Sequence, residues 1–424
     1  MKIKIVEKKY EDVIKIEKEK HKRPIKQNVF WRVLIKLLSF FALLPHGFKS
    51  RKIGMERLGK KEPCLILMNH SSFTDFEIAA TMIFPRPFNI VATTDGFVGK
   101  KWLMRQIGCI PTQKFVTDIA LVRDMAHSVR KLKSSVLLFP EAGYSFDGTA
   151  TVLPDSLGGF VKYLNVPVVM IKTFGAFSRN PLYNNLQVRK VKLSAEMEYI
   201  LSPEDIAAKS ADELNEILRS HFTFDSFKWQ QENEIKISEP FRADSLNRVL
   251  YKCPNCMSEG KTEGKGTILT CNECGKQYEL DEYGYMRALD GNTEIPHIPD
   301  WYRFEREAVK KEILAGEYRL DVDVDIYVMV DMKCLYHVGE GNLTHSVEGF
   351  HLVGCDGQID YVQKPKASYT LNADYYWYEI GDMISIGNSK ILYYCFPKNR
   401  KDIVTKTRLA TEEIYKLVTK GEIK

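Results

Sequence analysis

The chain has 424 residues, enough for two to four domains. A hydrophobic fraction of 44% beside a charged fraction of 27% is that of a globular protein and excludes wholesale disorder. The formal net charge of +6 is too small at this length to argue for nucleic acid, so no nucleic-acid partner is expected.

Residues 1–50 form a first region, crowded with lysine and arginine. Its opening stretch has no uninterrupted apolar run of the kind a cleavable leader needs. Asn28–Phe48 then reads NVFWRVLIKLLSFFALLPHGF. Arg32, Lys36 and Ser39 recur at helical spacing as a narrow polar stripe, with Phe30, Trp31, Leu34, Leu37, Leu38, Phe41 and Leu44 around the rest. No window holds the roughly 20 clean apolar residues of a spanning helix. The pattern predicts a helix lying in a bilayer interface, and the adjoining cations suit an anionic surface. The expected location is therefore the cytoplasmic face of a membrane, in a peripheral or monotopic mode. A core helix whose cations snorkel outward is the alternative.

Residues 51–235 alternate short apolar runs with helical patterns. Strands are predicted at Cys64–Met68, Asn89–Thr93, Ser135–Phe139, Val168–Thr173 and Leu186–Leu193, with helices between several of them, so an α/β sheet flanked by helices is expected. Ser202-Pro203-Glu204-Asp205 reads as a helix start, and a further helix is predicted over Ala211–Phe222.

Two strand exits carry chemistry. The run ending at Met68 leads into Asn69-His70-Ser71-Ser72-Phe73-Thr74-Asp75. A histidine at a strand end reaches the edge where reacting groups of α/β proteins gather. Asp75, one turn into the next helix, can hold one ring nitrogen and raise the basicity of the other. A capped helix beside an incidental histidine explains the same residues without function. The run ending at Phe139 leads into Pro140-Glu141-Ala142-Gly143-Tyr144-Ser145, where an acid beside glycine can approach a ligand closely.

Together these blocks resemble the glycerolipid acyltransferases, of which 1-acylglycerol-3-phosphate O-acyltransferase is the type. Asn69, His70, Ser72 and Asp75 match that family's N-H-x-x-x-x-D block, and Phe139 to Ser145 its F-P-E-G-T-R-S block. Gly108 to Lys114 is similar to the intermediate block and Val166 to Ile171 to the last, so the likeness spans roughly residues 30–225. The resemblance implies direct acyl transfer from acyl-CoA or acyl-carrier protein to a lysophospholipid hydroxyl, with His70 as general base and Asp75 orienting it. It implies substrate contacts from Asn69, Ser72, Lys114, Glu141, Gly143 and Ser145, with amides near Gly143 facing the oxyanion. No cofactor is implied for catalysis. The family's arginine is replaced by Tyr144, which leaves lysophosphatidate and other acceptors open. A decayed fold acting as a binding module, or a thioester or lipid hydrolase, are the rival readings.

Residues 245–290 hold Cys253-Pro254-Asn255-Cys256 and Cys271-Asn272-Glu273-Cys274. Four thiolates at this spacing predict a small zinc ribbon with structural zinc on Cys253, Cys256, Cys271 and Cys274. Residues 300–424 are expected to form a β-rich accessory domain, a barrel or sandwich closed by a helix at Arg408–Val418. Tyr318–Val330 alternates strictly. Further strands are predicted at Lys333–Val338, His345–Val353, Tyr369–Leu371, Tyr375–Ile380 and Lys390–Phe396, with a turn at Gly339-Glu340-Gly341-Asn342. Sheet packing is expected for the aromatic run Tyr375-Tyr376-Trp377-Tyr378, with a lipid-facing or partner-facing surface as the alternative.

Overall fold

The computed structural model describes residues 2–17, 20–115, 118–185, 187–398 and 403–423. A short strand β1 (Ile5–Glu7) comes first. The next seven strands are β2 (Lys49–Ile53), β3 (Leu65–Met68), β4 (Phe88–Thr93), β5 (Cys109–Thr112), β6 (Ser135–Leu138), β7 (Val168–Phe174) and β8 (Ser194–Leu201). They form one sheet in the order β2-β8-β7-β3-β6-β4-β5. It is parallel except where β8 meets β7.

Strand β3 lies at the centre, and its LILM sequence is buried on both faces. Ile66 and Met68 enter one core with Ile35, Ile78 and Met82, whereas Leu65 and Leu67 enter the other with Met125, Val129 and Val161. That is the two-residue period of a strand covered on both sides.

The expected strand at Leu186–Leu193 is absent. Leu186 lies outside the described residues, and residues 187–193 are irregular. The edge strand is β8, where Ala195, Met197, Tyr199 and Leu201 alternate inward. Before it, buried Arg189 donates to Asn184 Oδ1 (2.9 Å), the Tyr183 hydroxyl (2.8 Å) and the Arg242 carbonyl (2.7 Å). A buried guanidinium must satisfy its donors, and these partners hold the segment as a loop.

Residues 29–43 form a helix, Val29–Leu43, capped by the Asn28 side chain on the Trp31 amide. Its polar stripe faces the protein: Ser39 is 2% exposed, and Arg32 donates to the Pro85 carbonyl at 2.7 Å. Phe30, Val33, Leu37, Leu38, Phe40 and Phe41 are exposed. This is not the alternative core helix with outward cations. By length and composition the 18 residues Val29–His46, with mean hydropathy 1.5, are enough to cross a membrane.

Four antiparallel strands, β9 (Thr262–Lys265), β10 (Ile268–Cys271), β11 (Gln277–Leu280) and β12 (Met286–Ala288), make the ribbon. Its Leu269, Tyr278, Leu280 and Met286 share one core with the C-terminal strands. The join is Trp301, fully buried on the helix Ile298–Leu314, which the sequence reading did not anticipate. Its indole donates to the Lys252 carbonyl at 2.8 Å and packs edge-on against Tyr278.

The last strands are β13 (Leu320–Met329), β14 (Leu335–Ser346), β15 (Gly349–Gly354), β16 (Ile359–Gln363), β17 (Asn372–Trp377), β18 (Gly381–Gly387) and β19 (Leu392–Pro397). They form one open sheet in the order β16-β15-β14-β13-β19-β18-β17, with β1 added parallel to β14. Residues 5–7 therefore belong to the C-terminal sheet and not to a membrane segment. The sheet curls enough for Tyr361 of β16 to meet Tyr393 of β19 at 5.2 Å, and the helix Ile403–Lys420 packs against it.

The predicted turn at Gly339–Asn342 lies within β14, and the hairpin turns at Val347-Glu348 instead. Gly341 serves close strand approach, since a Cβ there would lie 2.4 Å from the Val353 carbonyl. Tyr369–Leu371 is not a strand.

Candidate active site

The end of β3 is pinned from both sides. Asn69 Oδ1 accepts from the Thr173 amide of β7 at 2.9 Å, and its Nδ2 donates to Ser71 Oγ at 2.8 Å. The His70 amide donates to Glu141 Oε2 at 2.8 Å, from the loop after β6. The other Glu141 oxygen accepts from the Thr151 amide (2.8 Å) and hydroxyl (3.2 Å). Burial pushes the Glu141 carboxyl up to about 7, against the pull of these donors.

Asp75 opens the helix Asp75–Ile83 and is 1% exposed. Its Oδ2 accepts from the Ser71 amide (2.8 Å) and the Ser72 amide (3.1 Å), and lies 2.9 Å from His70 Nδ1. A carboxylate oxygen facing Nδ1 assigns the proton to that nitrogen and leaves Nε2 basic. The imidazole stacks on Tyr144, ring centres 3.8 Å apart, and packs against Phe139 at 4.3 Å. Burial lowers the His70 pKa below its ordinary 6.5, the bond and charge of Asp75 oppose this, and Lys114 adds to the lowering.

His70 and Asp75 line a cavity of about 1210 Å³. One limb is apolar, walled by Ile90, Met125, Leu138, Leu157 and Phe160. Another part of the wall comes from the C-terminal region, with Tyr369, Asp374, Tyr376 and Tyr378. Of the residues expected to touch substrate, Ser72 and Lys114 reach the cavity. Asn69, Glu141, Gly143 and Ser145 are not in its wall. Asn69 and Glu141 hold the His70 backbone, and Ser145 Oγ closes its own loop by donating to the Thr149 carbonyl at 2.6 Å. Gly143 has Phe115 3.9 Å from where a Cβ would stand.

The C-terminal wall was missed. Its one visible signal was the aromatic run at 375–378. What places Asp374 and Tyr376 is a break in the β17–β18 register between Asp374 and Trp377, with Tyr376 and Tyr378 at φ 48° and 49°, which side-chain pattern does not reveal.

The four cysteines converge at the ribbon tip, their sulfurs all within 4.8 Å of one another. Cys253 and Cys274 Sγ are 3.9 Å apart, Cys256 and Cys271 Sγ 3.7 Å. Tetrahedral thiolates at about 2.3 Å from a metal stand about 3.8 Å apart, so the set fits one ion. Met257 (φ 66°) and Gly275 (φ 74°) take the same left-handed turn after the second cysteine of each pair, and each donates its amide to the first cysteine's carbonyl, at 2.9 and 2.8 Å. The four cysteines are not part of the cavity wall.

Residues 49–171 match a protein-family model described as Acyltransferase. This stretch is similar to an acyltransferase domain. It holds both strand exits, His70, Asp75, Lys114 and Glu141, and it ends within β7. Among solved structures the chain is similar to the crystal structure of the 1-acyl-sn-glycerophosphate (LPA) acyltransferase PlsC from Thermotoga maritima. The identity is 14% and the TM-score 0.36, over 45% of this chain and 76% of that one. No curated protein matches the chain. The cysteine ribbon and the aromatic wall lie outside the matched acyltransferase stretch.

The electrostatics at the base of the acyltransferase domain are directly measurable. In histidine-labelled protein followed by NMR, His70 is expected to titrate below 6.5, and Asp75→Asn is expected to lower it further because the carboxylate is what raises it. A rise in Asp75→Asn contradicts the assigned geometry.

Proposed function

We propose that the chain transfers an acyl group from acyl-CoA or acyl-carrier protein to a hydroxyl of a lysophospholipid, with His70 as general base. The observation that carries this reading is His70 fixed through Nδ1 on buried Asp75, in the wall of a cavity that is also lined by many apolar side chains. Nε2 takes the proton of the acceptor hydroxyl, and the oxygen attacks the thioester carbonyl carbon. The carbon–sulfur bond breaks, and the leaving thiolate recovers the proton from the imidazolium. The products are one ester and one free thiol. Asp75 stabilises the imidazolium between the two proton transfers, and the apolar limb takes the acyl chain. Asn69 and Glu141 act as positioning residues through the His70 backbone.

The proposed site of action is the cytoplasmic face of a membrane. The support is the outward apolar face of Val29–Leu43, continued by Trp102, which is 67% exposed and packs edge-on against Trp31 at 5.9 Å. For the ribbon we propose a structural zinc ion, since four thiolates fill a tetrahedral set and leave no position open to substrate.

Transfer from a labelled thioester to lysophospholipids tests the main reading. His70→Ala is expected to lose about 10²–10⁴ in turnover, the usual contribution of a positioned base. Asp75→Asn is expected to lower kcat with little change in donor KM. Because the base must be neutral and burial keeps its pKa below 6.5, turnover should stay level through neutral pH and fall only on the acid side of 6.5. Wild-type turnover in folded His70→Ala removes the mechanism.

Metal analysis of purified protein is expected to find about one zinc per chain, lost in Cys271→Ser together with protection of residues 245–290 from proteolysis. Metal-free protein with that region equally resistant removes the zinc. For the membrane reading, Leu37→Glu/Phe41→Glu is expected to shift the protein from sedimented vesicles to the supernatant, with high salt alone releasing only part of it. Unchanged sedimentation of the double variant places any anchor elsewhere.

A further inference from the structure

Part of the wall of the cavity that His70 lines is built by β17 and the turn that follows it, outside the stretch matched as acyltransferase. Tyr378 donates to Asp95 Oδ2 at 3.0 Å, which ties this wall to the loop after β4. Asp374, Asp95 and Lys114 all line the cavity. Burial pushes the Asp374 carboxyl up to about 6 and the Asp95 charge adds to that, whereas Lys114, the Tyr375 amide and the buried Arg408 oppose it. Around Tyr144, the ring that covers His70, the charges acting most are Asp75, Asp374, Asp95 and Glu77. Lys114 is the cation that acts on His70. Lys100, Lys366 and Lys416 also reach the cavity wall but are not among the leading influences on His70, Tyr144 or Asp374. Asp75 Oδ1 is buried and has no hydrogen-bond partner among the described residues.

This end of the cavity thus offers the Lys114 ammonium and two carboxylates, Asp374 and Asp95, each accepting one hydrogen bond and keeping lone pairs for a further donor. A phosphate monoester carries about −1.5 to −2 at neutral pH and brings acceptors only. It would face two carboxylates with a single lysine to hold it. A phosphodiester joined to an ammonium group brings one charge of each sign and supplies N–H or N–CH donors. Lysine suits the phosphodiester as a point charge. The Tyr376 and Tyr378 rings beside the two carboxylates suit an ammonium.

Resting on the acyl-transfer reading, we infer that the acceptor is a zwitterionic lysophospholipid, its phosphodiester on Lys114 and its ammonium group on Asp374 and Asp95. Asp374 is then a specificity residue contributed by the C-terminal sheet.

The test uses the purified full-length protein in neutral detergent micelles, with acyl-CoA as donor. Lysophosphatidylethanolamine and lysophosphatidate are compared as acceptors. The expected kcat/KM favours the ammonium-bearing lipid by about tenfold or more, the scale of discrimination when a polar pocket lacks its partner. Asp374→Asn keeps the oxygen that accepts from the Tyr375 amide at 2.9 Å, so the turn is retained. It is expected to remove most of that preference through KM, and Asp374→Lys to reverse it. Lysophosphatidate used as well as or better than lysophosphatidylethanolamine by the wild type, or a ratio unmoved in both variants, overturns the inference. Titration of the same two lipids into His70→Ala separates the two readings. Selective binding of the ammonium lipid without transfer by the wild type would remove acyl transfer and leave head-group selection. Equal binding of both lipids removes the selection whatever the turnover.

Discussion

A single carboxylate oxygen, Asp75 Oδ2, organises the site. It collects the Ser71 and Ser72 amides and the His70 ring in one place. The amides belong to the turn between β3 and the following helix, so the oxygen fixes the turn and the imidazole together. A carboxylate at a helix N-terminus is favoured by the backbone dipole and its unpaired amides, and Asp75 stands at that position. The loop after β6 answers with a second buried carboxylate, Glu141, whose two oxygens join the His70 amide to Thr151. One acid therefore holds the side chain of His70 and the other its backbone. Two strand exits that are 71 residues apart in sequence become one rigid corner.

Around that corner the chain is assembled from pieces that do not follow their order in sequence. Residues 5–7 add a strand to the C-terminal sheet, and residues 29–43 cover the acyltransferase domain. The ribbon's apolar side chains are continuous with those of the C-terminal sheet through Trp301, Val249 and Tyr278. A four-stranded ribbon of this size buries too little on its own, and shared burial supplies what its small core lacks.

The legibility of these parts in the sequence follows how local their causes are. β3 and the His70–Asp75 spacing were readable because a strand period and one helical turn fix them. The cysteine pairs were readable because metal geometry dictates their spacing. Glu141 was recognisable as a site residue, but not its direction, since its partners Thr151 and the His70 amide are set by tertiary contact. The strand at Ser194–Leu201 has strict alternation, yet the apolar residues just before it drew the reading upstream. What excludes that earlier segment is Arg189, satisfied by Asn184, Tyr183 and Arg242. The aromatic run at 375–378 packs, as Trp377 does on Tyr394 at 4.9 Å, and all four of its residues also line the cavity. The left-handed backbone at Tyr376 and Tyr378 belongs to the turn at that point, and nothing in the side-chain pattern announces it.

The shared wall of the cavity has a thermodynamic consequence. Its floor belongs to the parallel sheet and its roof to the antiparallel one, with Tyr378–Asp95 and the Arg408 guanidinium on the Tyr144 carbonyl at 3.2 Å spanning the seam. A ligand that fills such a space binds only when both halves are docked. Occupancy and docking are then linked equilibria, and free ligand at concentration [L] adds RT ln(1 + [L]/Kd) to the cohesion of the two halves. Each half in turn shares in setting that Kd. On the proposed reading, the C-terminal sheet walls the cavity and is also a structure whose attachment would rise and fall with occupancy.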